Sequence, residues 1–407
     1  MTASVVFRNK TGGSETLTAT AGQPLSDVLR ANGIPANAVL AYRGGKVIPE
    51  STAVVEPGDV IELRQVRHYD LDVLRNPKTH TYGTPDPVYV KTVLFDHGGT
   101  MERRAEQLGA DAFVEYVETT FAQSVGFGET MRPGDHIVIG LSGGRDSVAY
   151  LKLLERTRGR WPEVEMTAVT ITGLPDWEEP ATFQAALDAC AGLGVEHVVV
   201  TADEVADVFH LRVPFVDVMS RLVAGEHRNL NMVIGHQVLR RMLEREAARR
   251  GAPVVAFGFN ADDLVASMVT WFTAGYRMGG IPTRELGEFR YVFPLYRITK
   301  KELTLYLELV APELNRQGAP GRFATGPDER SMAYAVADHL YELWPGIDYY
   351  LFSAFENVQR SLLPMVDDLC RVCGGRYLLQ EGVRNPAGLC DVCGFFQRQE
   401  VLRADVA

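Results

Sequence analysis

The sequence predicts an α/β protein built on a doubly wound parallel sheet, with a smaller β domain ahead of it and a cysteine-rich tail behind it. Three observations predict this. Apolar runs of four to six residues alternate with amphipathic segments from 136 through a helical pattern starting at 261, a Ser-Gly-Gly turn at 142–144 joins the first run to a helical pattern, and two Cys-x-x-Cys pairs lie near the C-terminus.

Composition sets the outer limits. The chain has 407 residues, 46% of them hydrophobic and 23% charged, which suits a globular protein of two or three domains. The N-terminus lacks the basic-then-apolar pattern of a signal peptide, and no window approaches the roughly 18–20 apolar residues of a membrane span, so the expectation is a cytoplasmic protein without a membrane partner. A formal net charge of -11 counts against a chain built as a whole to bind polyanions, although a local patch can overrule that average. Four of the five cysteines form the two pairs, a pattern that points to a metal rather than to disulfides.

The first expected domain is 1–67. "SVVFRN" and "ETLTAT" read as strands around Thr11-Gly12-Gly13, "PLSDVLRANG" as a short helix stopped by Gly33, "VLAYRGGKVI" as a hairpin turning at Gly44-Gly45, and "DVIELRQV" as a last strand after Pro57-Gly58-Asp59. Residues 68–103 read as a linker. Its Gly98-Gly99 is a flexible loop on the simplest reading, with proteolytic release of a carrier ending at Gly99 as the alternative.

A helix is expected from about 104 to 126, and then the alternation begins. "HIVIGL", "EMTAVTIT", "EHVVVT" and "PVVAFG" are the strands, and helices are expected from 146, near 181–192, near 231–250 and from 261. This main domain spans 104–298, a more helical region 299–369, and the cysteine-rich tail 370–407.

At the C-terminal edge of a parallel sheet, a helix N-terminus and successive backbone N–H groups make an anion site. Gly143 and Gly144 let the backbone approach phosphate oxygens, Ser142 and Ser147 offer hydroxyl donors, Arg145 flanks them, and Asp146 can cap the helix or reach the magnesium ion of a nucleotide. "VVAFGFNADDLVASM" sets Gly258, Asn260, Asp262 and Asp263 at the end of another strand of the same sheet edge, so the two segments are expected to converge. Cys370, Cys373, Cys390 and Cys393, with sixteen residues between the pairs, suit a tetrahedral four-thiolate zinc site.

Taken with its context, "SGGRDS" between a buried strand and a helix resembles the PP-loop of the ATP pyrophosphatases, whose fold is that of the adenine nucleotide alpha hydrolases. The "GFNADD" element resembles the GHxxDD element of the tRNA 2-thiolation branch, and a terminal zinc ribbon is similar to one carried there, so the likeness covers roughly 130–395. The resemblance implies cleavage of ATP between its α- and β-phosphates and adenylation of an acceptor oxygen, with Asp146, Asp262 and Asp263 in catalysis. "RGGKVIPE" and "EPGDVIELRQV" resemble the β-grasp fold of ubiquitin-like sulfur carriers, but the last strand runs on into "RHYDLD" where those carriers end in a free Gly-Gly.

The thiolation branch also carries three cysteines that hold an iron–sulfur cluster or a persulfide. Alignment through Leu239-Arg240-Arg241 puts Val233 and His236 at the first two positions, and the third falls at Ala319. No iron–sulfur cluster is therefore expected, and the cofactors are ATP, magnesium and a structural zinc. His236 becomes a candidate base and Arg240 a candidate catalytic residue, while Arg241, Arg245, Arg249 and Arg250 bind phosphate or RNA or else, with Glu244 and Glu246 among them, form a solvated face. Cys190 reads as a core residue. The expected activity is replacement of an adenylated carbonyl oxygen by sulfur, delivered as sulfide or as the thiocarboxylate of a sulfur-carrier protein or of the chain's own β-grasp domain, on a tRNA uridine or a small metabolite. An amide-forming ligase and a non-catalytic nucleotide- or carrier-binding partner are the alternatives, and a homodimer is a compatible assembly.

Overall fold

The computed structural model of the chain describes residues 3–8, 12–66, 78–97, 100–126, 130–173, 180–224, 231–274, 281–314, 329–362, 365–380 and 385–406. It divides into two compact units, Met1–Thr81 with Val93–Ala105 and Tyr82–Thr92 with Glu106–Ala407.

The first unit holds β1 (Ser4–Arg8), β2 (Ser14–Leu17), α1 (Leu25–Ala31), β3 (Val39–Arg43), β4 (Lys46–Ile48) and β5 (Val60–Gln65). They form a five-stranded sheet in the order β2-β1-β5-β3-β4. The central pair, β1 and β5, is parallel with Val5 opposite Ile61 and Phe7 opposite Leu63, and the remaining pairs are antiparallel. Period-two alternation turns Val5, Phe7, Val39, Ala41, Ile61 and Leu63 to one face, where Leu25, Val28 and Leu29 of α1 cover them. Gly44 and Gly45, at φ of 55° and 77°, supply the two positive angles that a two-residue hairpin needs.

The segment expected as a linker is built differently. β6 (Lys78–Gly83), β7 (Tyr89–His97) and β8 (Thr100–Leu108) form a three-stranded sheet in the order β6-β8-β7. Gly98-Gly99 lies outside the described residues, between two strands that neighbour each other in that sheet. The helix expected from 104 begins instead at Ala110, as α2 (Ala110–Gly126). "TMERRAEQL" is rich in residues that favour helices, and strand pairing overrides that preference.

The second unit continues with β9 (His136–Gly140), α3 (Arg145–Arg156), β10 (Glu165–Ile171), α4 (Pro180–Leu193), β11 (Glu196–Val200), α5 (Ala202–Val208), α6 (Phe215–Ala224), α7 (Asn231–Arg250), β12 (Val254–Phe257) and α8 (Ala261–Ala274). A short pair follows, β13 (Thr283–Leu286) and β14 (Phe289–Val292), and then α9 (Lys300–Val310), α10 (Glu329–Leu343) and α11 (Ile347–Leu362). The tail is β15 (Met365–Leu369), β16 (Arg376–Gln380) and α12 (Asp391–Arg398).

The six-stranded sheet has the order β11-β10-β9-β12-β14-β13. All its neighbours are parallel except β13 with β14. Val138, Val169, Val255 and Tyr291 face one core, shared with α6, α7 and α8. Ile137, Ile139, Ala168, Val254, Ala256 and Val292 face the other, shared with α2, α3 and α9. Both faces are thus covered, which is why these strands read as unbroken apolar runs. The chain moves from β9 outward to β10 and β11, then returns to place β12 on the other side of β9. That reversal opens a crevice between the C-terminal ends of β9 and β12, the place where open α/β sheets bind ligands.

Ile139, fully buried in the central strand, tests the core. Ile139→Ala should lower unfolding free energy by about 2–5 kcal/mol, read from urea denaturation followed by circular dichroism.

Candidate active site

β9 ends at Gly140, and the chain turns through Ser142-Gly143-Gly144 into α3. Gly143 has a φ of 74°, in the region that glycine tolerates best. A side chain at Gly144 would approach Ser142 Oγ at 3.2 Å. Ser142 Oγ accepts from the Gly144 N–H at 3.2 Å, Ser147 Oγ accepts from the Ser142 N–H at 3.1 Å, and the two hydroxyls are 3.0 Å apart. The hydroxyls therefore brace the loop, and since one proton suffices for the contact between them, the other is left for a phosphate oxygen. No side chain caps α3 at Gly144, so its first-turn N–H groups are available to an anion.

Asp146, in the first turn of α3, is where the second segment arrives. Its Oδ2 accepts from the Asn260 side-chain amide at 3.2 Å and from Lys300 Nζ at 3.3 Å. Its Oδ1 is buried with no hydrogen-bond partner among the described residues, as suits a carboxylate that completes its shell with a cation. Asn260 is fully buried and serves two elements. Its Oδ1 accepts from the Asp263 N–H at 3.0 Å while Asp263 accepts from the Asn260 N–H at 3.3 Å, a reciprocal cap on α8.

Lys300 enters from α9, whose N-terminus is fixed by a capping box between Thr299 and Glu302. The backbone N–H of Lys300 donates to Asp262, and the Tyr334 hydroxyl of α10 donates to Asp263. Three acids therefore share one edge of the sheet with one lysine. Burial pushes Asp262 up to about 6, opposed by the Lys300 N–H and reinforced by Asp263 and Glu302. Asp263 is raised as well, by burial first and then by Asp146. Such displaced carboxylates mark a place where a cation or a proton is to be accommodated.

Of the residues expected from sequence, Ser142–Ser147, Asn260, Asp262 and Asp263 come together, and Gly258 lies one residue beyond β12 on the same edge. Lys300 and Tyr334 went unread. The Thr299-x-x-Glu302 capping pattern announces a helix start, but nothing in it announces the lysine's destination.

His236 and Arg240 lie elsewhere, on α7. His236 packs against Phe259 with ring centroids 4.9 Å apart, in a cleft also lined by Phe257, Phe293, Ser267 and Arg284. Arg240 donates to the Arg376 carbonyl at 2.7 Å and pairs with Glu244 at 3.5 Å, so it holds the tail rather than the nucleotide edge. Arg249 and Arg250 pair with Glu246 and Glu196. The side chain of Val233 and all of Ala319 lie outside the described residues. Cys190 is a buried core residue whose thiol burial pushes up to about 11. In the tail, the sulfur atoms of Cys370, Cys373, Cys390 and Cys393 lie within 4.8 Å of one another, and hydrogen bonds from the other three thiols hold Cys370 well below the usual thiol range.

The chain is similar to known proteins. A tRNA-cytidine(32) 2-sulfurtransferase of Neisseria gonorrhoeae is 27% identical over 241 residues, 57% of this chain and 69% of that protein. The tRNA 2-thiolation protein NcsA of Haloferax volcanii is 31% identical over 185 residues, 42% of this chain and 55% of that protein. The chain is similar to tRNA 2-thiolation enzymes of the PP-loop superfamily. These relatives are ATP-dependent enzymes that thiolate tRNA. The fold agrees: the U34-tRNA thiolase NcsA from Methanococcus maripaludis superposes with a TM-score of 0.53 at 19% identity, over 75% of this chain and 93% of that one. No protein-family model matches the chain.

The comparison corrects one expectation. The M. maripaludis thiolase structure contains a 4Fe-4S cluster, and four converging thiols fit an iron–sulfur site, so zinc to the exclusion of iron–sulfur chemistry does not stand. Among the described residues, no helix is long and apolar enough to cross a membrane.

The raised pKa of Asp262 gives a signed expectation. The folded state holds its proton more tightly than the unfolded chain, so this group withdraws stability as pH rises from the ordinary carboxylate value through about 6. Asp262→Asn cannot ionise and still accepts from the Lys300 N–H. The Tm of the variant minus that of wild type should therefore grow across that window and level off above it. Parallel Tm profiles from pH 3.5 to 7.5 would count against the shift.

Proposed function

We propose that this chain is an ATP-dependent tRNA sulfurtransferase, activating a base carbonyl oxygen as its adenylate for replacement by sulfur. One observation carries the nucleotide half of this reading. The carboxylate of Asp146, at an uncapped helix N-terminus, meets Asn260 and Lys300 while keeping one buried oxygen without a partner among the described residues. A triphosphate fits that arrangement, with loop N–H groups and the spare serine proton on phosphate oxygens, Lys300 neutralising charge, and a divalent cation completing Asp146. The acceptor half is supported by the relatives, named as sulfurtransferases and thiolation proteins acting on tRNA.

The chemistry balances in two steps. The base carbonyl oxygen attacks the α-phosphorus of ATP, a C–O–P linkage forms, and the bond to the β-phosphate oxygen breaks to release pyrophosphate. Hydrosulfide, free or released by hydrolysis of a carrier thiocarboxylate, then adds at the activated carbon; the C–O bond breaks as AMP leaves and the added sulfur loses its proton, so the carbon that bore oxygen bears sulfur. His236 is assigned the proton that must move in the second step. Its cleft lies on the same side of α8 as Ser267, whose hydroxyl donates to the Asp263 carbonyl at 2.7 Å. The N-terminal unit is assigned as a β-grasp domain of the sulfur-carrier type on its strand order β2-β1-β5-β3-β4 and its single covering helix.

Asp146→Ala and Ser142→Ala should each cut tRNA-dependent pyrophosphate release by roughly 10²-fold or more with little change in Tm. His236→Ala should retain pyrophosphate release but slow thiolated-base formation by roughly 10²–10⁴-fold, so that adenylated RNA accumulates. Mass spectrometry of the nucleosides and a pyrophosphate assay separate the two effects. Unchanged pyrophosphate release in Asp146→Ala removes the nucleotide assignment.

A further inference from the structure

A second cleft lies beside the His236 cleft and shares Gln237, Arg240 and Arg284 with it. Four arginines line it, Arg240 and Arg241 of α7, Arg284 of β13 and Arg376 of β16, against one lining acid, Asp391. In a chain of net charge -11 this is a local concentration of arginine, beside Cys373 and Cys390 of the thiol cluster. Two further acids offset part of it: buried Glu244 lies 3.5 Å from Arg240 and 3.8 Å from Arg241, and exposed Asp367 pairs with Arg376 at 2.6 Å. Glu244 also receives the Tyr291 hydroxyl, so one buried carboxylate is shared among three partners.

The arginines are held in place rather than left to wander. Arg241 donates to the Cys373 carbonyl at 2.8 Å, Arg240 to the Arg376 carbonyl, and Arg284 stacks over the Tyr291 ring at 4.7 Å. Two glycines make room for two of the stems. A methyl group at Gly375 would stand 2.5 Å from Arg241 Cδ, and one at Gly287 would stand 2.2 Å from Arg376 Cδ. A guanidinium carries five N–H donors in a planar fork whose spacing matches phosphate oxygens. Pre-placed forks lose less rotamer freedom on binding than solvated lysines do.

We propose that this arginine cleft binds the phosphodiester backbone of the RNA acceptor and leads the strand to the His236 cleft, where a base can be presented. The inference rests on the reading of the acceptor as RNA. Phosphate contacts of this kind fix register and orientation, while the aromatic walls of the adjoining cleft, Phe257, Phe259 and Phe293, suit an unstacked base. Arg240 and Arg241 tie α7 to the tail and are positioning residues as well. Arg284 and Arg376 are the ones to test.

The experiment is fluorescence anisotropy with an unmodified, labelled tRNA transcript across a salt series, using the full chain. Arg284→Gln and Arg376→Gln should each weaken binding roughly tenfold at moderate salt and flatten the slope of log K against log salt by about one unit. Arg284→Lys and Arg376→Lys should keep most of that slope, which separates lost charge from lost packing. Arg249→Gln, on a residue of α7 outside the cleft, should bind as wild type does. If wild type binds the transcript and both glutamine variants bind with the same affinity and slope, the cleft assignment is overturned and the RNA reading stands. If wild type fails to bind the transcript even at low salt, the RNA reading falls and the cleft assignment with it.

Discussion

The bond from the Asn260 amide to the Asp146 carboxylate is the contact on which the site depends. It joins α3 to α8 across the crevice between β9 and β12, and Lys300 closes the group from α9. Three helix N-termini therefore meet at one edge of the sheet, and they are treated differently. α8 is capped by Asn260 and Asp263, and α9 by Thr299 and Glu302. α3 alone of the three begins at a glycine with no side-chain cap. Capping satisfies the first-turn N–H groups, so the uncapped helix is the one whose amides remain to meet an anion.

The burial of Asn260 explains why an amide stands at that position. Its carbonyl end must accept from Asp263 and its amino end must donate to Asp146, a polarity that neither aspartate nor leucine supplies. A carboxylate there would add a further negative charge beside Asp146, Asp262 and Asp263. Those acids already hold their protons more tightly than free carboxylates in the case of Asp262 and Asp263. The site balances between too much negative charge for a protein interior and enough to hold a cation. Lys300 moderates it from one side, and Tyr334 donates to Asp263 from another.

Legibility in the sequence followed the range over which each feature is determined. Ser142–Ser147 and Asn260–Asp263 could be read because each is a contiguous stretch at a strand-to-helix junction, where local geometry dictates residue type. Their convergence could be read too, since a doubly wound sheet presents the ends of β9 and β12 on one edge. Lys300 and Tyr334 could not, because only the packing of α9 and α10 decides what they reach. β8 was hidden by Glu, Arg, Ala and Gln, which favour helices in isolation, and β13 and β14 are four residues each, too short to carry a period. The four cysteines were found by spacing, but spacing alone does not choose among metals.

Arg240 shows how the same residue changes meaning with its surroundings. In sequence it continues the row Arg240, Arg241, Arg245, Arg249, Arg250, and it aligns beside a functional position. In the fold its guanidinium spans from Glu244 of its own helix to the Arg376 carbonyl of the tail, so that α7 carries the tail on one face. The next turn of the same helix presents His236 to stacked phenylalanine rings, with Phe257 and Phe259 at 5.6 Å and almost parallel. An adenylated base is prone to hydrolysis, and a wall of aromatic rings removes water from the carbon that sulfur must reach. In the proposed reaction α7 thus separates two tasks one turn apart: the arginine side orders the tail and meets the phosphate backbone, and the histidine side faces the dry cleft where the exchange of oxygen for sulfur takes place.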